Sequence, residues 1–373
     1  MKKILLVATL SLAFLAAGCG PPKEAKGETA GENTEGMAQE NTVRVITDGA
    51  GREVEIPETV DSIVCLNVST LRYTCYMQAQ DLVAGVEDYE KERSLSRPYN
   101  YVNFETFEKL PVIGSNGEYY TEEIIGVEPD VIMMSAFGDN DPEALQEVTG
   151  IPVVSVPGSD GMLDEGAYET IRIMGEVYGK EDRAEELIQY MDQVQEDLQQ
   201  RVKEVKEEEK PSVYVGGVSY KGVHGLEGTE AGYGPLVAVE AKNLADETGQ
   251  KGPFNVDLEQ ILDWNPEVMF VDFNGLDLIE EHHKENPDFY DQLQAVQEGK
   301  VYSQISFRSS ASNLETALAD AYYGGTVLYP EQFQDIDPEE KADEIFNQFL
   351  GRDFYQVLKE NGYGFRQIHI GEE

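Results

Sequence analysis

The sequence predicts an α/β protein of two similar lobes, each with a mainly parallel central sheet, joined by one long helix. Three observations predict it: short apolar runs alternate with helical patterns from Val43 onward, one helix–Pro–strand unit occurs twice, and a stretch free of Gly and Pro lies between the copies. The chain has 373 residues, 40% of them hydrophobic, enough for roughly two domains. It carries 28 Lys and Arg against 72 Asp and Glu, a formal net charge of −44. Phosphate binding needs clustered cations, so nucleic acid is excluded as the main partner. Three Cys supply no disulfide scaffold.

The first element is an address. Lys2 and Lys3 precede the apolar run Ile4 to Phe14, followed by Leu15-Ala16-Ala17-Gly18-Cys19. A positive end, an apolar stretch and small residues make residues 1–18 a secretory signal. The run is too short to span a bilayer, which takes about 20 residues. A Cys directly after small residues resembles a bacterial lipobox, with lipidation at Cys19; an ordinary signal with an incidental Cys is the alternative. Residues 19–42 are polar and Gly-rich, read as a disordered tether because they have little apolar surface to bury. The expected location is extracytoplasmic, lipid-anchored to a bacterial cell membrane.

The amino-terminal lobe is expected over 43–165. Ser62 to Leu66 reads as a buried strand leading into a helix around Thr70 to Gln80, and Leu82 to Val86, Val131 to Met134 and Val153 to Val156 read as further strands. Glu122-Glu123-Ile124-Ile125 with Pro129-Asp130-Val131-Ile132-Met133 recurs as Glu259-Gln260-Ile261-Leu262 with Pro266-Glu267-Val268-Met269-Phe270, the interval from 122 to 259 equalling that from 129 to 266. The connector, 166–210, contains Glu181 to Glu207, whose apolar positions Ala184, Leu187, Ile188, Met191, Val194 and Leu198 recur at three and four. One helix there would span about 40 Å; a surface helix inside one domain is the alternative. The carboxy-terminal lobe is expected over 211–373.

Enzyme chemistry finds little support, and no catalytic residue is assigned. There is no phosphate loop, dinucleotide fingerprint or G-x-S-x-G elbow. His282 and His283 sit in a polar stretch and read as solvated, while Cys65 and Cys75 read as buried, inert thiols. What stands out is the placement of cations and aromatic residues after strand ends, where α/β sheets bind ligands. Ser69, Thr70, Arg72 and Tyr73 follow the first strand, and Arg97 and Tyr99 follow the next. Tyr220, Lys221 and His224 follow the strand Val213 to Val215, and Arg308 follows Val301 to Ile305. Arg72, Arg97, Lys221 and Arg308 would line one cleft and hold an anion by charge-assisted hydrogen bonds. Tyr rings add stacking surface, and a phenolate oxygen is a hard ligand for ferric iron. His224 is a candidate metal contact; no other direct metal ligand is assigned.

With Val45-Ile46-Thr47-Asp48-Gly49-Ala50-Gly51-Arg52-Glu53-Val54, Pro57, the twin segments and Ala317-Leu318-Ala319-Asp320-Ala321-Tyr322-Tyr323 in view, the chain resembles the substrate-binding lipoproteins of bacterial ABC importers. The resemblance covers almost all of 43–366 and is to the helix-backbone class (class III) that captures ferric siderophores, haem and cobalamin. It implies two Rossmann-like lobes on a rigid helix, no catalysis and no cofactor. The implied ligand is an iron(III)-siderophore or similar anionic metal chelate, with a corrinoid or haem as the alternative. The implied partners are an ABC permease and its cytoplasmic ATPase, with the binding protein a monomer. By the same resemblance Glu122 and Glu259, one on each lobe, would pair with Arg residues of the permease. Phe307-Arg308-Ser309-Ser310 replaces the Tyr- and Trp-rich stretch of many iron-uptake relatives, which favours a polar complex reached by Arg. An extracellular enzyme and an adhesion lipoprotein are the readings of another class.

Overall fold

Strands form where the sequence is apolar and β-branched. The computed structural model describes residues 42–67, 69–115, 117–136, 140–159 and 161–372; the signal segment, Cys19 and all of the tether but Thr42 lie outside them. The hairpin of β1 (Val43–Thr47) and β2 (Glu53–Pro57) is antiparallel. There follow β3 (Ile63–Leu66), α1 (Thr70–Tyr76), β4 (Val83–Glu87), α2 (Pro98–Phe107), β5 (Val112–Ser115), β6 (Glu118–Tyr119), α3 (Thr121–Gly126), β7 (Val131–Ser135), α4 (Pro142–Thr149) and β8 (Val153–Val156). They build a six-stranded sheet in the order β6-β5-β4-β3-β7-β8, parallel except between β5 and β6.

Alternation along the strands separates two cores. Val64, Leu66, Ile132 and Met134 point to one face, packing with Ile113, Ile124 and Leu145. Ile63, Cys65, Val131 and Met133 point to the other, into a core that continues through the rest of the chain. Cys65, and Cys75 on α1, are free and buried there. Burial pushes the Cys65 thiol up to about 12 and the Cys75 thiol well above its usual range.

α5 (Glu165–Tyr178) starts at Asp164, whose side chain caps it, and stops at Gly179, whose φ of 62° only glycine adopts without cost. α6 (Glu181–Val202) then runs 22 residues, about 33 Å. Its buried side chains include Ala184, Leu187, Ile188, Met191, Val194 and Leu198, the stripe the periodicity picks out. The helix is shorter than the Gly- and Pro-free stretch, ending at Val202 rather than near Glu207. Beyond it the residues are mainly Lys and Glu with no apolar face to bury, and only a 3-10 turn forms over Glu207–Glu209.

The remainder contains β9 (Ser212–Gly216), β10 (Gly228–Ala231), α7 (Gly234–Ala238), β11 (Lys242–Asn243), β12 (Gly252–Asn255), α8 (Leu258–Trp264), β13 (Val268–Asp272) and α9 (Phe273–Glu285). α10 (Pro287–Tyr290), α11 (Gln294–Gln297), β14 (Val301–Gln304), α12 (Leu314–Leu328), α13 (Pro338–Leu350) and α14 (Tyr355–Glu360) complete it. β11-β9-β13-β14 form an all-parallel sheet, and β10 pairs antiparallel with β12. The repeated unit is α3–β7 in one half and α8–β13 in the other, with Ile124 and Ile261 each fully buried. In both sheets the chain's direction of travel reverses at the first strand: β3 lies between β4 and β7, and β9 between β11 and β13. Loops leaving β3 and β9 therefore open at switch points, where such sheets take ligands.

Candidate functional site

The loop after β9 is self-supporting. Gly217 N–H donates to the Gly225 carbonyl (3.0 Å) and Tyr220 N–H to Gly222 (3.0 Å). The Tyr220 ring stacks on His224, centroids 4.3 Å apart, while His224 Nε2 lies 2.9 Å from the Tyr220 carbonyl and Tyr220 OH donates to Asn255 Oδ1. This brace presents Lys221, with φ 49°, at the edge of a cleft of about 400 Å³. Pro253 of β12, Asn274 of α9, and Arg308, Ser310 and Ala311 of the loop between β14 and α12 complete the lining.

Arg308 forms a two-bond fork with Glu230, Nε donating to Oε2 at 2.6 Å and Nη2 to Oε1. Burial pushes the Glu230 carboxyl up while the guanidinium pulls it back. Two more acids lie below. Asp272 accepts from Ser306 Oγ and from Asn274 N–H (2.9 Å), and burial raises it to about 7. Asp320 accepts from Ile305 N–H (2.9 Å) and is raised well above the carboxylate range, again by burial. Arg308 thus serves an acidic floor as well as facing the cleft. Removing one partner of so buried a pair costs about 3–5 kcal/mol, so its first role is structural.

The cleft's lining comes from residues 219–311 alone, and α1 of the other half packs behind its Ser309–Ser310 edge. Asn67 and Ser69 flank the start of α1 with φ of 67° and 76°. Among the described residues nine non-glycines have left-handed backbone, and Asn67, Ser69, Lys221, Ser310 and Ala311 all sit in loops at these strand ends, the pattern expected of a functional edge. Arg72 is wholly buried; it donates from Nη1 to the Ser310 carbonyl (2.9 Å) and from Nη2 to the Ser309 carbonyl (2.6 Å), over the Tyr99 ring. Among the described residues Ser69 Oγ and Arg72 Nε are buried without a hydrogen-bond partner. Nearby, Tyr76 OH donates to Glu315 and Asn313 Nδ2 to the Ser96 carbonyl (2.9 Å), tying α1 and the segment before α2 to the start of α12.

The structure therefore gathers Tyr220, Lys221 and Arg308 around the cleft, stacks His224 on Tyr220, and brings Arg72 to the loop that edges it, with Ser69 just before the same helix and Tyr73 buried on it. Arg97, Tyr99 and Thr70 are not gathered there. Arg97 donates to the Tyr89 and Glu92 carbonyls (2.8 and 2.9 Å), Tyr99 OH to Glu90 (2.5 Å), and Thr70 Oγ1 to the Leu66 carbonyl (3.0 Å). Glu122 and Glu259 are both exposed in the first turns of α3 and α8. Sequence reasoning missed Glu230, Asp272, Glu315 and Asp320. Asp272 alone carried a signal, an Asp at a strand end immediately before a helix, where it caps α9. Among the described residues no three His, Cys, Asp or Glu are placed to hold a metal ion, and no helix is long and apolar enough to cross a membrane.

Comparison with known proteins places this geometry. A family model described as periplasmic binding protein matches residues 63–304. The molybdate-binding protein MolA of Haemophilus influenzae is 25% identical over 82% of this chain and 90% of its own. An uncharacterized ABC transporter substrate-binding lipoprotein of Bacillus subtilis, YvrC, is 26% identical over 88% of this chain and 97% of its own. A solved periplasmic solute binding protein from Veillonella parvula superposes with a TM-score of 0.67 at 19% identity, over 85% of this chain and 95% of that one.

Proposed function

This chain belongs to the periplasmic binding protein family, the substrate-binding proteins of ABC importers, and on that premise we propose that it captures an anionic, oxygen-rich solute and delivers it to a permease. The observation that carries the reading is Lys221 lining one cleft beside Arg308, which Glu230 holds in place, in a chain of net charge −44. Cations are scarce, so their placement at a switch-point opening is where an anion gains charge-assisted hydrogen bonds. An iron(III)-siderophore or similar anionic metal chelate is the solute the residues favour. The likeness to a molybdate-binding relative supports a second reading, a tetrahedral oxometalate. The protein makes and breaks no bond of its ligand, works as a monomer at the outer face of the membrane, and is held there by a lipid on Cys19. Glu122 and Glu259 are the permease contacts.

Two experiments test this. Calorimetric titration with sodium molybdate and with ferric siderophores should give saturable one-to-one binding to one class; binding of neither refutes the anionic-solute reading, and turnover of a substrate refutes the non-catalytic one. Replacing Glu122 and Glu259 together by Ala should leave the dissociation constant within about twofold, because exposed pairs are worth little individually, while uptake in cells drops. Undiminished uptake would remove both residues from the docking surface.

A further inference from the structure

A guanidinium is a planar fork matched to a carboxylate or other oxyanion. Arg72 is buried, yet among the described residues its two terminal nitrogens meet neutral peptide carbonyls, those of Ser309 and Ser310. Both acceptors belong to one loop, anchored by buried Phe307 at one end and by Asn313 at the other, where Asn313 N–H donates to the Phe307 carbonyl (2.8 Å). At the tip Ser310 and Ala311 hold left-handed backbone, φ 51° and 66°, a conformation that L side chains disfavour. The tip also forms part of the cleft wall. One surface of the loop therefore faces Arg72 and another faces the space where a solute would enter. On the Arg72 side, Ser69 stands just before α1, and among the described residues Arg72 Nε is buried without a hydrogen-bond partner.

From this juxtaposition we infer that Arg72 is an oxyanion site whose acceptor positions the Ser309–Ser310 carbonyls occupy in the absence of ligand, and that the solute takes the fork by displacing the loop tip. The inference rests on the anionic reading of the cleft and deepens it by naming the chemistry required. The ligand presents at least two oxygens to the guanidinium, in place of the Ser309 and Ser310 carbonyls. A carboxylate edge of a chelate and a tetrahedral oxyanion both qualify. The exchange is favourable because an oxyanion brings full opposite charge and a planar pair of oxygens to the guanidinium fork, where the carbonyls bring only dipoles, and because release relieves the two strained residues. The tip is thus a stand-in ligand that sets a threshold: neutral or single-acceptor solutes do not dislodge it.

The test changes the tip's strain in both directions. Ala311→Gly removes the left-handed penalty and seats the tip more firmly; Ala311→Val increases it. Titrations use sodium molybdate and, separately, ferric citrate, and hydrogen exchange of residues 308–313 is measured without either. Ala311→Gly should slow exchange and weaken anion binding about fivefold, and Ala311→Val should speed exchange and tighten binding by a similar factor, from roughly 1 kcal/mol of backbone penalty. Arg72→Gln should speed exchange of the tip and lose at least tenfold in anion affinity. Whichever anion responds identifies the source of the oxygens. Equal affinities in the Gly and Val variants overturn the displacement. Tip exchange that answers to Arg72 while neither anion binds any variant overturns the anionic cleft instead, leaving Arg72 a fixed seam.

Discussion

Asp272 ends β13, and its carboxyl is both the cap of α9 and an acceptor for Ser306, with almost no exposure to water. Burial raises its folded-state value to about 7, above the ordinary value near 4. An acid shifted upward holds its proton more tightly when folded, so its contribution is complete at low pH and is lost as pH rises through 7. Stability to urea should fall between about pH 4 and 7, approaching about 1.4 kcal/mol per pH unit for one such group, and level off above pH 7. Asp272→Asn keeps an acceptor oxygen and cannot titrate, so its decline should be shallower. Glu87, raised to about 7, Glu315, raised to about 6, and Asp320, all by burial, would sustain the remainder. Identical slopes in the two proteins would show that Asp272 does not titrate there. Cations after strand ends were legible because position and charge type coincide in the sequence. Buried acids were not, since 72 Asp and Glu make any one of them unremarkable until the fold hides it. Nor does sequence distinguish Arg97, which holds two local carbonyls, from Arg72, which reaches a loop more than two hundred positions away.

The repeated α3–β7 and α8–β13 units were legible because apolar period, turn proline and spacing agree in both copies. The end of α6 was less so: absence of Gly and Pro permits a helix, but only an apolar face gives it something to bury. Where α5 and α6 meet, Gly175 has no room for a side chain, for a Cβ there would lie 2.7 Å from the Ala184 Cβ. Gly175→Val should therefore push the two helices apart and cost about 1–3 kcal/mol. Gly126→Ala, with open space around the position and ordinary backbone, should be within about 0.5 kcal/mol of the parent. The comparison is read as urea midpoints at constant slope. Equal midpoints would mean that the helices are not in close contact in solution.

At the scale of the whole molecule the sign of the charge decides how the solute arrives. A chain of net charge −44 repels an anion until it is within reach of Lys221 and Arg308. Salt screens that repulsion over about 8–10 Å at physiological strength. The association rate of molybdate or a ferric chelate should therefore rise as sodium chloride goes from 10 to about 150 mM, measured by stopped flow. A rate that falls with salt would require a cationic solute or a more positive approach path. The two free thiols sealed in the amino-terminal core have a consequence of their own. With Cys65 and Cys75 shielded and protonated at neutral pH, a maleimide added to a chain lacking Cys19 reacts only when that half breathes open, so the labelling clock runs on native opening events and needs no engineered probe.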